Sequence, residues 1–386
     1  MKLVFVIQHF PPFISGAERQ AELLAQLISK QVTSCEVITT RFRHDLPLRS
    51  VTGGVRIRRL RTWGGGSTRL VVNLLVSFLH FLLHGRKYEI IHAHSLSPFS
   101  LGSIIGGKIW GCRTLLKVSS IGDEGDVAKV KRHPFGKVLW RLFLQTDLFV
   151  ATTPTVVREL LDHGVPGDKI AMVPNAVVTN LDEMPTSSMR AAARASLDLP
   201  DRPVVLFVGR LVPQKGLDLL MRAWTDAVQD GRATLVLVGD GPEAKHIAEW
   251  KRASEHGETV HMVGWRSDPE TFYRASDIFA FPSQEEAFGN VLAEAMAHGL
   301  AVVTTRVGLA AHWIRDGESG IIIHGDTAGE MAAALRRLLA DASLRERLGR
   351  QARKDALRFF SADSVVGAYL EQYRRLGKNA TTSRAA

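Results

Sequence analysis

The chain has only two cysteines, Cys35 and Cys112, in 386 residues. Two thiols exclude a disulfide framework and a cysteine-built metal centre, and they fit a reducing compartment. The sequence also lacks an uninterrupted apolar run of the roughly 20 residues that a membrane-spanning helix needs. No Asp-x-Asp pair suited to a divalent metal occurs, and no short internal repeat is present. Apolar residues make up 45% and charged residues 23% of the chain, which excludes a disordered chain. At this length one hydrophobic core stops growing, so two domains are expected.

Acidic residues are scarce in the first half. Up to residue 190 there are 24 Lys and Arg against 14 Asp and Glu; beyond it there are 25 of each. The whole net charge of +10 therefore lies in the first half. That imbalance points to an anionic partner such as a lipid surface, a phosphorylated substrate or nucleic acid. An Arg-rich composition without a partner is the alternative. Nucleic acid is disfavoured, because no basic stripe is interleaved with aromatics and the second half is neutral. The opening MKLVFVIQHF holds one strand's length of apolar residues before Pro11 and Pro12. A signal peptide needs a longer apolar stretch and a small-residue cleavage site, so a cytoplasmic location is expected.

Short apolar runs alternate with helical patterns throughout. KLVFVI, SCEVITT, VRIRRL, YEIIHAH, RTLLKVS, DLFVAT and KIAMVP read as strands in the first half. VVLFVG, TLVLVGD, TVHMVG, DIFAFPS, AVVTT and GIIIHG do so in the second. Helical spacing fills stretches such as 17–29, 217–228, 242–255 and 327–339. This alternation predicts βαβ units and parallel sheets, an α/β chain with two doubly wound Rossmann-like domains facing a cleft. The polar, Ala/Ser-rich stretch 181–202 reads as a linker. The expected layout is a first domain over 1–180, a second over 203–362, and a final helix with a frayed tail over 363–386. The apolar run at residues 70–83 fits a buried core helix. With Arg61, Arg69, Arg86 and Lys87 around it, it fits an interfacial helix as well.

Ligands in such sheets bind at the carboxyl ends of strands, and three segments sit there. In VVLFVGRLVPQKGLD a strand ends at Gly209, and Arg210 and Lys215 occupy the loop before a helix. Two cations beside helix amides make an anion site, most naturally for phosphate; a solvated surface pair is the alternative. In LVLVGDGPE, Gly239 and Gly241 permit either close approach of a ligand or a compact turn. The six-residue dinucleotide fingerprint is absent, so no nicotinamide cofactor is inferred. In QEEAFGNVLAEAMAHG, Glu286 lies in a loop, Asn290 can cap a helix, and Glu294 lies inside it. The amides near Phe288, Gly289, Asn290 and Val291 suit a pyrophosphate. The two carboxylates suit sugar hydroxyls, Glu294 a ribose and Glu286 a hexose.

These motifs resemble those of the retaining glycosyltransferases of family 4, which have the GT-B fold. The resemblance rests on GRLVPQKG, VGDGPE and the Glu286-x7-Glu294 spacing, with looser support from QHFPPFISGAERQ, YEIIHAHS and VPNAV. It implies an enzyme whose C-terminal domain binds a nucleotide-sugar donor, a UDP- or GDP-sugar, and whose N-terminal domain binds the acceptor. It implies that the last helix crosses back to the first domain. Arg210, Lys215 and Glu286 would carry catalysis. Gly16, Gly209, Gly239, Gly241, Phe288, Gly289, Asn290, Val291 and Glu294 would line the donor. No metal and no cofactor is required, because cations and a helix dipole can stabilise a departing nucleoside diphosphate. The expected acceptor is a lipid-linked or growing glycan of cell-surface or exopolysaccharide synthesis, with an anionic membrane surface as a further partner. A soluble acceptor, or donor binding without turnover, are the alternatives.

The sequence departs from the family in two places. Lys117-Val118-Ser119-Ser120 stands where the family often has a histidine that touches the donor sugar, and Ser15-Gly16 stands where two glycines are commoner. His92, His94, Lys117, Ser119, Ser120 and Asp123 are the candidates for acceptor contact. His92 and His94 share one face of a strand, so they are acceptor contacts or structural histidines; a third metal ligand is not evident. Residues 122–133 read as a mobile acceptor loop or as a solvated turn.

Overall fold

The computed structural model describes all residues except 13–15, 178, 180–183, 229–230, 326 and 384–386, with the backbone alone for 378–383. The chain forms two compact units, Met1–Ala176 with Ala362–Ala386, and Val177–Ser361.

The first unit holds β1 (Lys2–Val6), β2 (Ser34–Thr40), β3 (Arg49–Thr52), β4 (Val55–Leu60), β5 (Ile90–His94), β6 (Arg113–Lys117), β7 (Leu148–Ala151) and β8 (Ile170–Met172). Their order is β3-β4-β2-β1-β5-β6-β7-β8. All neighbours are parallel except β3, which pairs antiparallel with β4 across a Gly53-Gly54 turn. That edge strand is polar and mostly exposed, so it has no apolar run to announce it. The intervening helices are α1 (Gly16–Ser29), α2 (Gly66–His84), α3 (Pro98–Lys108), α4 (Asp126–Arg132), α5 (Gly136–Phe143) and α6 (Pro154–Asp162). Helix starts follow side-chain capping: Ser97 accepts from Ser100 N at 3.1 Å, and Thr153 accepts from Val156 N at 3.3 Å. Proline follows each cap, where its missing N–H costs nothing.

The second unit holds β9 (Val204–Val208), β10 (Thr234–Val238), β11 (Val260–Gly264), β12 (Ile278–Phe281), β13 (Ala301–Thr305) and β14 (Ile321–Ile323). They form a wholly parallel sheet ordered β11-β10-β9-β12-β13-β14. Its helices are α7 (Ser187–Ser196), α8 (Leu217–Ala227), α9 (Ala244–Ala253), α10 (Glu270–Ala275), α11 (Asn290–Ala297), α12 (Ala310–Trp313), α13 (Ala328–Ala340) and α14 (Ala342–Phe360). Every residue of β9, β10, β12 and β13 is buried, because helices cover both faces and two apolar clusters flank the sheet. The last helix, α15 (Ala362–Ser383), belongs to the first unit and adds Val365, Tyr369, Tyr373 and Leu376 to its core.

Three expectations need correction. The supposed linker 181–202 contains α7, whose Arg194 is anchored in the second unit; residues 181–183 lie outside the described residues. Its polar, alanine-rich composition is that of a surface helix. The stretch 122–133 is not an open loop, since residues 126–132 form α4. The final helix continues to Ser383, into the stretch 377–386 whose composition reads as a frayed tail; residues 384–386 lie outside the described residues.

Arg194 donates to Asp277 Oδ2 at 2.6 Å, to Asp201 Oδ1 at 3.1 Å and to the Ala275 carbonyl at 2.9 Å. The same Asp277 oxygen accepts from Val204 N at 2.8 Å, so the arrangement pins the starts of β9 and β12. Removing one partner of a nearly buried pair strands the other charge. Arg194→Ala is therefore expected to lower unfolding stability by about 3 kcal/mol, read by urea denaturation. A change below about 0.5 kcal/mol, typical of surface sites, would show the pair to be solvated.

Candidate functional site

In the second sheet the strand order reverses between β9 and β12, since β10 lies on one side of β9 and β12 on the other. Loops at the carboxyl ends of these two strands flank the switch point, where open α/β sheets bind ligands. The loop after β9 runs through Gly209 and exposed Arg210 to a 3-10 turn, Pro213–Lys215. The loop after β12 runs from Pro282 to Gly289 and opens α11.

The two loops are locked together. Gln284 N donates to the Gln214 carbonyl at 2.9 Å, and the Thr305 hydroxyl donates to the Ser283 carbonyl. A Cβ on Gly216 would lie 2.0 Å from the Pro282 oxygen, so only glycine fits between them. Lys215 Nζ forms an ion pair with Glu286 Oε1, which also accepts from the Ser283 hydroxyl at 3.0 Å. Both partners are mostly covered, with side chains 19% and 15% exposed. A charge pair at that burial is screened little by solvent, so each ion sets the position of the other.

Gly289 adopts φ 93° and occupies the N-cap of α11, the position assigned to Asn290 from sequence. Asn290 is instead the first helical residue, with no capping hydrogen bond from a side chain at this helix start. The positive end of the α11 dipole opens at Phe288 and Gly289, next to the Lys215–Glu286 pair. Val291 lies in the first turn of α11 and Glu294 one turn further along, and both are half-buried. Glu294 Oε2 accepts from the Tyr273 hydroxyl at 2.8 Å, and the Tyr273 ring stacks on His298 at 5.0 Å.

Gly239 and Gly241 have a local reason for being glycine. A Cβ on Gly239 would lie 1.8 Å from the Gly209 oxygen, and one on Gly241 would lie 2.4 Å from the Leu211 oxygen. The turn after β10 packs on the backbone of the Arg210 loop, so close approach to protein accounts for both residues. Gly16 lies in the first unit, where it opens α1.

The acceptor candidates in the first unit divide. His92 and His94 are 0% and 1% exposed, and His92 packs against Tyr369 and Tyr373 of α15. Their rings stack at 4.5 Å, and His92 Nδ1 lies 2.7 Å from the Tyr373 hydroxyl. Burial pushes both imidazoles well below their ordinary range, with neighbouring cationic groups adding to the effect. This corrects their assignment as acceptor contacts: they are core residues. Lys117 is also buried, its ammonium 5.8 Å from the Tyr369 ring centre, and burial pulls it down to about 7. Ser119 and Ser120 remain half-exposed and converge on Asp126, through Ser119 N at 2.8 Å and the Ser120 hydroxyl at 2.8 Å. Burial raises the Asp126 carboxyl, while those hydrogen bonds act in the opposite direction. Asp123 is exposed, and its carbonyl accepts from Arg132.

Tyr273, Ser283, Thr305 and Asp126 were not singled out from sequence. Ser283 had a signal, its place at the end of the strand before Glu286. Tyr273 had none, because an aromatic residue on a short helix reads as core. Among the described residues no group of three or more His, Cys, Asp or Glu side chains is gathered as a metal centre.

Comparison with known proteins covers both units. The model described as Glycosyltransferase Family 4 matches residues 14–181, and that described as Glycosyl transferases group 1 matches residues 189–355. The chain is 34% identical over 323 residues to the D-inositol 3-phosphate glycosyltransferase of Acidothermus cellulolyticus, covering 78% of this chain and 70% of that one. It is 33% identical over 232 residues to the lipopolysaccharide core biosynthesis glycosyltransferase LpsE of Rhizobium meliloti, covering 59% of this chain and 64% of the relative. The solved structure of Anabaena HepE in complex with UDP-glucose superposes with a TM-score of 0.80 at 19% identity, over 97% of this chain and 100% of that one.

Buried Lys117 makes stability depend on pH with a defined sign. Unfolded, the amine keeps its proton up to the ordinary lysine value of 10.5; folded, it releases it near 7. Between these values the unfolded chain binds more protons, so the Lys117 contribution to stability rises with pH across that window. Urea denaturation of the wild type and Lys117→Met at several pH values is expected to give a difference that shifts in favour of the wild type as pH rises above 7. A flat difference would mean that the lysine stays charged in the fold.

Proposed function

The chain belongs to the family 4-type glycosyltransferases with the GT-B fold, and on that premise we propose that it transfers a hexose, with retention, from a UDP- or GDP-sugar to a lipid-linked or growing glycan of the cell surface. The reading places it in the cytoplasm, at the inner face of the membrane. The observation that carries it is the Lys215–Glu286 pair at the strand-order reversal, beside exposed Arg210 and the positive end of α11. The diphosphate would take the cations and the helix amides, as anions do at helix N-termini. Glu286, once its lysine turns to phosphate, would accept from the hexose hydroxyls, and Glu294, held by Tyr273, from the ribose. The bond between the anomeric carbon and the phosphate oxygen breaks with its electron pair going to that oxygen, the acceptor oxygen bonds to the carbon, and the acceptor proton passes to the departing phosphate oxygen. Negative charge grows on the departing diphosphate, where Arg210, Lys215 and the α11 dipole would stabilise it. These groups supply the stabilisation without a metal or other cofactor.

Support for the donor comes from HepE, whose solved structure is a complex with UDP-glucose. Support for a glycan acceptor comes from LpsE, named for lipopolysaccharide core biosynthesis. The alternative class is a nucleotide-sugar-binding protein without turnover, motivated by Lys117-Val118-Ser119-Ser120 in place of the family histidine.

A thermal-shift panel of UDP-, GDP- and ADP-sugars would identify the donor, since a ligand at 100 times its dissociation constant adds roughly 2.7 kcal/mol. Product formation from that donor with a lipid extract is expected for the wild type. Lys215→Ala and Glu286→Ala are each expected to lower it by at least about a hundredfold while circular dichroism stays unchanged. Full activity in both variants would move the site elsewhere. Donor binding without any product would favour the binding protein.

A further inference from the structure

Helix α2 is inverted relative to a helix on a water-facing surface. Every exposed or half-exposed side chain over residues 70–83 is apolar: leucine, valine or phenylalanine. Leu70, Val71, Leu75, Leu79 and Leu83 are 39 to 74% exposed. The three polar residues of the run, Asn73, Ser77 and His80, are the ones that point inward and are buried. Burial pulls His80 down to about 3, with nearby cationic groups contributing, so it sits there neutral. A soluble surface helix has the opposite pattern, with its apolar stripe facing the core.

The inward face is tied to α3 by close backbone approach. A Cβ on Gly102 would lie 2.2 Å from the Leu74 oxygen, and one on Gly106 would lie 2.7 Å from the Phe78 oxygen. Two glycines four residues apart let the helices touch, a mode of packing that does not depend on water driving apolar faces together. Although its uninterrupted apolar run is short of a membrane span, the segment Gly66–Lys87 reaches that length and hydropathy when Asn73, Ser77 and His80 are counted in, by length and composition only. Because one face is committed to α3 and carries the buried polar groups, it is built to lie along a surface.

The flanks state what that surface is. Arg61, Trp63 and Arg69 stand exposed at one end of the helix, and Arg86, Lys87 and Trp110 at the other. The Arg86 guanidinium lies 5.2 Å over the Trp110 ring, whose N–H donates to the Leu82 carbonyl at 2.7 Å. No Asp or Glu occurs over residues 46–88. Tryptophan and cations at both ends of an apolar stripe match the interfacial and headgroup levels of an anionic bilayer. A second copy of the chain is disfavoured as the occupant. A two-fold pairing of antiparallel stripes would set the Arg61 and Arg69 end against Arg86 and Lys87, placing like charges together.

We propose that α2 docks this chain on an anionic membrane surface, its outward Leu and Val side chains entering the acyl boundary and its terminal cations meeting the lipid phosphates. The proposal deepens the reading of a membrane-borne acceptor but is carried by α2 alone.

The test is co-sedimentation of the full chain with vesicles of phosphatidylcholine alone, or mixed with phosphatidylglycerol. The wild type is expected to pellet with the mixed vesicles and to be released progressively by salt, because surface attraction is screened. Leu75→Asp with Leu79→Asp is expected to weaken vesicle binding by more than about tenfold at unchanged melting temperature. Arg86→Glu with Lys87→Glu is expected to remove the preference for anionic vesicles. The proposal is overturned if the wild type binds neither vesicle or if the leucine variant binds as well as the wild type. It is equally overturned if sedimentation equilibrium shows that the leucine variant splits a dimer while its vesicle binding is intact. The donor-induced thermal shift, measured without vesicles, stands apart: its absence beside intact vesicle binding would remove the transferase reading and leave the docking surface.

Discussion

The ion pair between Lys215 and Glu286 couples two loops that are 71 residues apart in the chain. It is possible only because β9 and β12 are neighbours at the reversal of strand order. Everything proposed for the site depends on that adjacency. The parallel sheet requires helices on both faces, and the crossovers deliver each loop to the carboxyl edge. Gly216 permits the loop after β9 to touch Pro282, and Gly289 turns the chain into α11 beside it. In the pair the cation and the carboxylate neutralise each other, which lowers the cost of covering two charges. A diphosphate would offer the lysine a better partner and release the carboxylate for hydroxyl groups.

The first unit uses ionisable residues differently. His92, His94 and Lys117 sit on adjacent strands, on the face covered by α15, together with Tyr369 and Tyr373. A core of this kind favours neutral side chains, which is why burial lowers all three basic groups. The last helix is thereby bound through aromatic and polar contacts as well as through Val365 and Leu376. Residues that look like surface chemistry in a linear reading are thus part of what holds α15 to the sheet.

Helix α2 shows the converse, with residues that look like core lying outside. Its apolar run has the composition of a buried helix, and composition alone could not say which face was covered. Close contact with Gly102 and Gly106 decides it by turning Asn73, Ser77 and His80 inward.

Much of this molecule was legible in the sequence. The apolar runs located thirteen of the strands, and their alternation with helical spacing specified a parallel α/β chain, because a strand covered on both faces must be apolar throughout. β3 escaped, since an exposed edge strand needs no apolar pattern. Arg210, Lys215 and Glu286 were legible through their positions just after strands, and Glu294 through its carboxylate inside an otherwise apolar helix. The sequence by itself therefore determined the fold class and the loops that carry the candidate chemistry, through local periodicity and the rule for strand ends. Only the tertiary structure decided that Lys215 meets Glu286, that Tyr273 holds Glu294, that His92 and His94 are buried with His92 against α15, and that the leucines of α2 face outward. Each of these depends on which distant surfaces come together, and one side chain's partner is not encoded in the spacing of its own segment.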